Sequence, residues 1–202
     1  DIYKDPNGVD ENTLIDTSGL SAYGYNRYML EEWVREHYSD SLIIRLPALF
    51  GNNIKKNFIY DFINLIPSML ISSKFDELSK ADESLNGYYA LQPNGFYKLN
   101  SDIEDRDALK QKFIDIDFTA LNFTDSRSRY QFYDLSRLWD DIQILLKNKI
   151  KLWNAAVAPV TAAEVYRFIT GDPFVNELSG VPADYDYRSI HAELFGGHDG
   201  YI

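Results

Sequence analysis

The sequence predicts an α/β fold of the doubly wound parallel-sheet kind, with a smaller α+β lobe set into it. Three observations carry that expectation. An amphipathic helical pattern from Leu20 runs, through a break at Ser39 and Asp40, into the short apolar run SLIIRLPALFG. A second succession of strand, helix, strand and helix starts after Ser126. Between them, from about Asn57 to Asp125, that alternation is missing. Helix, tight break and buried strand make an α/β half-unit, the building block of doubly wound sheets.

Each element has its own signal. Residues 1–19 read as a loop, because Pro6, Asn7, Gly8, Thr17, Ser18 and Gly19 supply turn chemistry. In the following helix Leu30, Trp33, Val34 and Tyr38 recur at helical spacing, with Glu31, Glu32, Arg35 and Glu36 between them. Leu42, Ile43, Ile44 and Leu46, closed by Pro47 and Gly51, read as a buried strand. The middle stretch combines helical segments, Phe58 to Ile66 and Asp105 to Phe113, with aromatic polar segments such as NGYYALQPNGFYKLN. It reads as an inserted or appended lobe over 57–125, following a first segment over 1–56. From 126 to 171 the core pattern returns: a strand at Tyr130 to Tyr133, a helix presenting Leu138, Ile142, Leu145 and Leu146 on one face, and a strand in IKLWNAA. Thr161 and Glu164 have the spacing of a capping box ahead of Val165, Phe168 and Ile169. The tail, 172–202, reads as loop-like and as a C-terminal part of the substrate lobe.

Composition narrows the function. With 20 basic and 31 acidic residues the formal charge is −11, so a nucleic acid or an anionic membrane is repelled overall. There is no cysteine, which removes disulfides, thiol nucleophiles and thiolate metal sites. His37, His191 and His198 are far apart and show no metal-ligand spacing. The longest apolar stretch, Phe62 to Ser73, is short for a membrane span and contains Pro67. The start resembles no signal peptide and has no initiator methionine. A cytoplasmic chain that forms part of a longer protein is the expectation. Carboxylate pairs in IDID and at Asp140 and Asp141 fit sugar hydrolysis or a solvated face equally. Gly196, Gly197 and Gly200 neither follow a strand nor open a helix, so a phosphate cradle is not expected there.

The segment SAYGYNRYMLEEW places Tyr23 and Arg27 four residues apart on one helix face. A phenol ionises near pH 10, and works as an acid or base at neutral pH when a nearby cation favours its anionic form. Arg27 is placed to provide that cation. Spacing alone also fits a packed tyrosine beside a solvated arginine.

The order of these residues resembles the extended short-chain dehydrogenase/reductase family, the NAD-dependent epimerases and dehydratases. That family carries Tyr-x-x-x-Lys on a helix, then a strand with an arginine, then a proline-containing turn ending in an aromatic residue and glycine. Here the matching residues are Tyr23, Arg27, Arg45, Pro47, Phe50 and Gly51, and Glu31 follows Arg27 by four. Further on, RYQFYDLSRLWDDI resembles the family segment whose aspartate, Asp134, opens a helix, and KLWNAA the strand bearing an asparagine, Asn154. The resemblance implies the C-terminal part of a Rossmann-type domain with a substrate lobe. It implies Tyr23 as acid/base, Arg27 in the place of the lysine that binds the nicotinamide ribose, and Pro47, Ala48 and Leu49 against the nicotinamide. It also implies Asn57 or Phe58 near a nucleotide-sugar substrate. Arg129, and Arg188 in YDYRSIHAELFGG, are further candidates for contacts to an anionic substrate group, and a surface salt bridge fits Arg188 equally. NAD or NADP is the implied cofactor of the full-length protein. No glycine-rich turn for its pyrophosphate occurs in the 202 residues, so the chain alone is expected to bind cofactor poorly and to be inactive. The family resemblance also implies a homodimer through the Tyr23 helix, where Trp33 and Tyr38 serve interface or core equally well. The alternative is a non-catalytic nucleotide-binding or scaffold protein of the same fold.

Overall fold

The computed structural model describes residues 2–55 and 57–202. Among the described residues the chain is mixed α/β, with six α-helices and nine short strands. It divides into two compact units, Asp1–Ile54 with Ser126–Ile202, and Lys55–Asp125. None of the described helices is long and apolar enough to cross a membrane.

In the first unit helix α1 (Ala22–His37) begins where Ser21 accepts a hydrogen bond from the Gly24 N–H at 3.1 Å. Arg35 and His37 occupy its last turn, where positive charge suits the helix dipole. The run expected to be one buried strand forms two half-buried ones, β1 (Ile43–Arg45) and β2 (Ala48–Phe50). Pro47 lies between them, and a proline has no N–H for the ladder. The halves take different parallel partners: Ile44 of β1 lies opposite Trp153 of β8 (Leu152–Asn154), and Leu49 of β2 opposite Tyr133 of β7 (Phe132–Asp134).

The strand expected over Tyr130 to Tyr133 also splits. Its first part, β6 (Arg129–Tyr130), pairs antiparallel with β9 (Val160–Thr161). Gln131 separates β6 from β7 and is buried. Its amide bonds like a strand residue: the side chain donates to the Tyr187 carbonyl at 2.9 Å and accepts from the Tyr187 N–H at 2.8 Å. Around Tyr133, Trp153 and Ala155 the core closes with Leu145 from α5 (Leu138–Lys147), whereas Leu146 points outward. The Asp134 carboxylate caps a 3-10 turn, Leu135–Arg137, that leads into α5. Helix α6 (Ala162–Thr170) opens on the Thr161–Glu164 capping box and ends at Gly171 in the left-handed region, φ 83°. The tail is more ordered than its composition suggests: Ala192–Phe195 forms a 3-10 turn, and Phe195 stacks on Trp153 with centroids 4.9 Å apart.

The second unit contains strands that its sequence does not announce. Strands β3 (Met69–Ile71), β4 (Tyr89–Leu91) and β5 (Phe96–Leu99) form an antiparallel sheet in the order β3-β5-β4. The aromatic segment NGYYALQPNGFYKLN is a hairpin whose turn uses Gly95 at φ 82°. Helices α2 (Phe58–Asn64), α3 (Ser72–Ala81) and α4 (Arg106–Asp115) accompany it. Leu65 adopts φ 57° and ends α2 before Ile66. Leu70, Phe75, Leu85, Leu109 and Phe113 form the centre of the core, with Tyr97 stacked on Phe75 at 3.8 Å.

Two predictions follow from local geometry. Burial raises the Asp61 carboxyl from its ordinary 3.8 to about 6. A raised acid favours the protonated fold, so the second unit is most stable below pH 3.8 with respect to this group and loses that advantage as pH rises to about 6. Asp61→Asn should flatten this slope in residue-resolved hydrogen exchange. At Gly197 a Cβ would lie 1.9 Å from the Tyr201 carbonyl oxygen, whereas at Gly180 it meets nothing within 4 Å. Gly197→Ala should lower stability by about 1–3 kcal/mol, with Gly180→Ala close to neutral in the same denaturant titration.

Candidate functional site

Tyr23 and Arg27 lie in the first turns of α1 on its outer side. Tyr23 is 62% exposed, and the Arg27 guanidinium carbon lies over its ring, 5.1 Å from the centroid. Gly24, between them in sequence, is buried. The helix thus packs closely along one line and presents the phenol and the cation beside it.

The other residues singled out by sequence have varied surroundings. Pro47 is half-buried, and Ala48 and Leu49 are in the β2 ladder opposite Phe132 and Tyr133. Arg129 is ion-paired with Asp184. Arg188 donates to the Asp199 carbonyl at 2.6 Å and to Asp186 at 3.1 Å, with its guanidinium over the Tyr201 ring. Tyr201 in turn donates to Asp186, and burial, chiefly, pushes its phenol up to about 12. Both arginines are therefore engaged within the protein. In the second unit Asn57 caps α2, its side chain accepting from the Tyr60 N–H at 2.8 Å, and Phe58 is buried.

Behind the Tyr23 helix is a largely buried polar network that links five segments: the opening loop, α1, β1, β8 and the tail. Arg45, on β1, gives two hydrogen bonds to Glu31 of α1: Nε to Oε2 at 3.0 Å and Nη2 to Oε1 at 2.6 Å. Arg35 adds a bond to the same carboxylate at 2.8 Å. The third edge of Arg45 donates to the hydroxyl of Tyr3, and its guanidinium carbon lies 5.2 Å from that ring's centroid. Tyr3 donates onward to the Asp10 carbonyl at 2.9 Å. Glu11 completes the anchorage of the loop, accepting from the Asn154 N–H (2.8 Å), the Ser189 hydroxyl (2.6 Å) and the Ile190 N–H (2.9 Å).

Charge balance in the network follows from burial and pairing. Burial pushes the Glu31 carboxyl up, but the hydrogen bonds and charges of Arg45 and Arg35 more than offset it, leaving the group below its ordinary value. Burial pulls the Arg45 guanidinium down, and Glu31 together with neighbouring negative groups reverses that. Burial raises the Tyr3 phenol.

In the sequence Glu31 stands out as a polar position of the helical pattern and, with Arg45, as a member of the family pattern, whereas Tyr3 and Glu11 do not stand out. Arg45, a charged residue in an apolar strand, is a signal that a counterion is buried with it, whereas Glu31 stands among several charged residues of its helix. Tyr3 and Glu11 leave none, since both lie in a loop and meet their partners only through the fold. Asp141 is buried and accepts from the Tyr133 hydroxyl, with Arg137 at 3.7 Å, so its environment is that of a structural carboxylate. Among the described residues no group of three or more histidine, aspartate or glutamate side chains could hold a metal ion.

Comparison with known protein families finds no matching family, and no curated protein matches the chain.

Removing Arg45 leaves the buried Glu31 carboxylate with only the more exposed Arg35 as counterion. Arg45→Met should therefore cost about 3 kcal/mol in equilibrium unfolding. Because the Glu31 value is lowered on folding, its contribution is present above the ordinary 4.5 and is lost as pH falls below it. Glu31→Gln should remove that part of the acid sensitivity, measurable as a smaller fall in first-unit hydrogen-exchange protection between neutral and acid pH.

Proposed function

We propose that the chain is the C-terminal part of an NAD(P)-dependent epimerase, dehydratase or reductase of the extended short-chain dehydrogenase/reductase type, acting on a nucleotide-linked sugar. The observation that carries this reading is the outward-facing Tyr23–Arg27 pair at the head of a helix whose next strands, β1 and β2, pair in parallel with two later ones. In this reading the four parallel-paired strands belong to a doubly wound sheet of the full-length protein, and Lys55–Asp125 is its substrate lobe.

The residues fit one end of a nicotinamide cofactor. A phenol and a guanidinium on one exposed flank provide a proton-transfer group and a cation for the hydroxyls of a ribose. They do not fit the other end: the sequence has no glycine-rich turn at a helix N-terminus for the pyrophosphate. Tyr23 takes the proton from a substrate hydroxyl at its phenolic oxygen. Arg27 supplies positive charge over the face of the Tyr23 ring, its guanidinium carbon 5.1 Å from the centroid, as a planar fork where lysine would offer a compact ammonium.

The position of Arg27 over the ring face favours a second reading, a non-catalytic nucleotide-binding or scaffold member of the same fold. The two readings separate in the full-length protein. Tyr23→Phe should lower kcat at least about 100-fold with little change in Tm, because the side chain is mostly exposed. Unchanged turnover would remove Tyr23 from the chemistry. Arg27→Lys should raise hydride transfer, followed as nicotinamide absorbance, if the site is catalytic in kind. A further check is the coding sequence upstream of Asp1, where a strand followed by a glycine-rich turn is expected.

A further inference from the structure

Helix α1 is buried along an unexpected line. Of Leu30, Trp33, Val34 and Tyr38, the apolar residues expected at helical spacing, Val34 is half-buried but Leu30, Trp33 and Tyr38 are 52%, 48% and 59% exposed, whereas Glu31 is 9% exposed. Gly24 and Glu31 are the two buried residues of the helix. At about 100° per residue Gly24 points within about 20° of Glu31. Tyr23 and Leu30 lie about 80° and 100° to one side, and Arg27 and Val34 lie between them and Glu31. Apolar burial by itself would favour rolling this Tyr23–Leu30–Val34 flank inward. Two features oppose the roll: it would carry the Arg27 charge inward, and it would break the two-point link from Arg45 to Glu31, braced from the other side by the Tyr3 ring and hydroxyl.

We propose that Arg45, acting through Glu31, is the positioning residue that sets the roll of α1 and so holds the Tyr23–Arg27 flank outward. A two-toothed guanidinium–carboxylate contact defines an angle as well as a distance, so it can choose between two faces of a helix. A single buried polar residue is known to select one register over another in coiled coils, at a cost in stability. The importance of the outward flank for chemistry rests on the function proposed above, whereas the roll does not.

The roll can be read with this chain as it stands, by tetranitromethane nitration of tyrosines resolved by peptide mass spectrometry. Tyr25 is the internal control: it lies about 120° from Glu31 on the opposite side and stays exposed when the Tyr23 flank turns inward. In Arg45→Met and in Glu31→Gln, nitration of Tyr23 should slow about tenfold while Tyr25 is unchanged, as expected when loss of a charge-assisted link reverses the populations of two registers. Arg45→Lys should recover part of the rate, and the exchanged pair Glu31→Arg with Arg45→Glu should recover more. Faster nitration of all tyrosines would show a merely structural role and overturn the proposal, as would an unchanged Tyr23. If instead Tyr23→Phe leaves turnover of the full-length protein intact while nitration behaves as described, the dehydrogenase reading fails and the positioning role of Arg45 stands.

Discussion

A carboxylate from a helix and a guanidinium from a strand meet out of water in the first unit, and much of its polar architecture is arranged around that meeting. Desolvating Glu31 and Arg45 costs several kcal/mol for each charge. The cost is tolerable because each group is satisfied on more than one edge: Glu31 by Arg45 and Arg35, Arg45 by Glu31 and Tyr3. Once paired, the groups connect the opening loop, α1 and β1 at fixed angles. The neighbouring anchor at Glu11 ties the same loop to the end of β8 and to the tail. A loop that by composition should be mobile is held at both levels.

The same device recurs wherever the short strands run out. Strands of two or three residues satisfy few backbone groups through their own ladders. Side chains from distant segments take over: Gln131 pairs with the backbone of Tyr187, the Ser128 hydroxyl accepts from the Ala183 N–H, and the Asn154 amide donates to the Arg188 carbonyl. The second unit is built differently. Its antiparallel sheet packs against aliphatic and aromatic side chains, and polar groups enter mainly as caps and turn bonds, as at Asn57, Asp82 and Asp105. One unit is therefore specified largely by polar pairing and the other largely by apolar packing.

This distinction bears on the candidate site. An apolar face can slide with little change in free energy, because hydrophobic contact has no direction. A site that depends on a phenol at a set angle gains from a directional link behind it. Tyr23 and Arg27 are both exposed surface side chains, and what anchors them is the backbone that carries them: the Ser21 cap at its start, the buried Gly24 and the paired Glu31. For the proposed chemistry, as for a scaffold that merely holds a nucleotide, the rigidity lies one layer beneath the residues that would touch the ligand.

Much of the local structure was legible in the sequence, since it depends on neighbours along the chain. Helical spacing located α1, α5 and α6, the Thr161–Glu164 spacing announced a cap, and the Tyr23–Arg27 pair needed only the four-residue helical step. Signals that required comparing two competing local patterns were misread. The hairpin around Gly95 was hidden by its tyrosines and polar residues, and Pro47 and Gln131 divided strands that apolar content had joined. Which face of α1 turns inward was beyond local reading altogether. Hydrophobic periodicity favours Leu30 and Trp33, and only the folded chain, by bringing Arg45 and Tyr3 against Glu31, makes a charged residue the better one to bury.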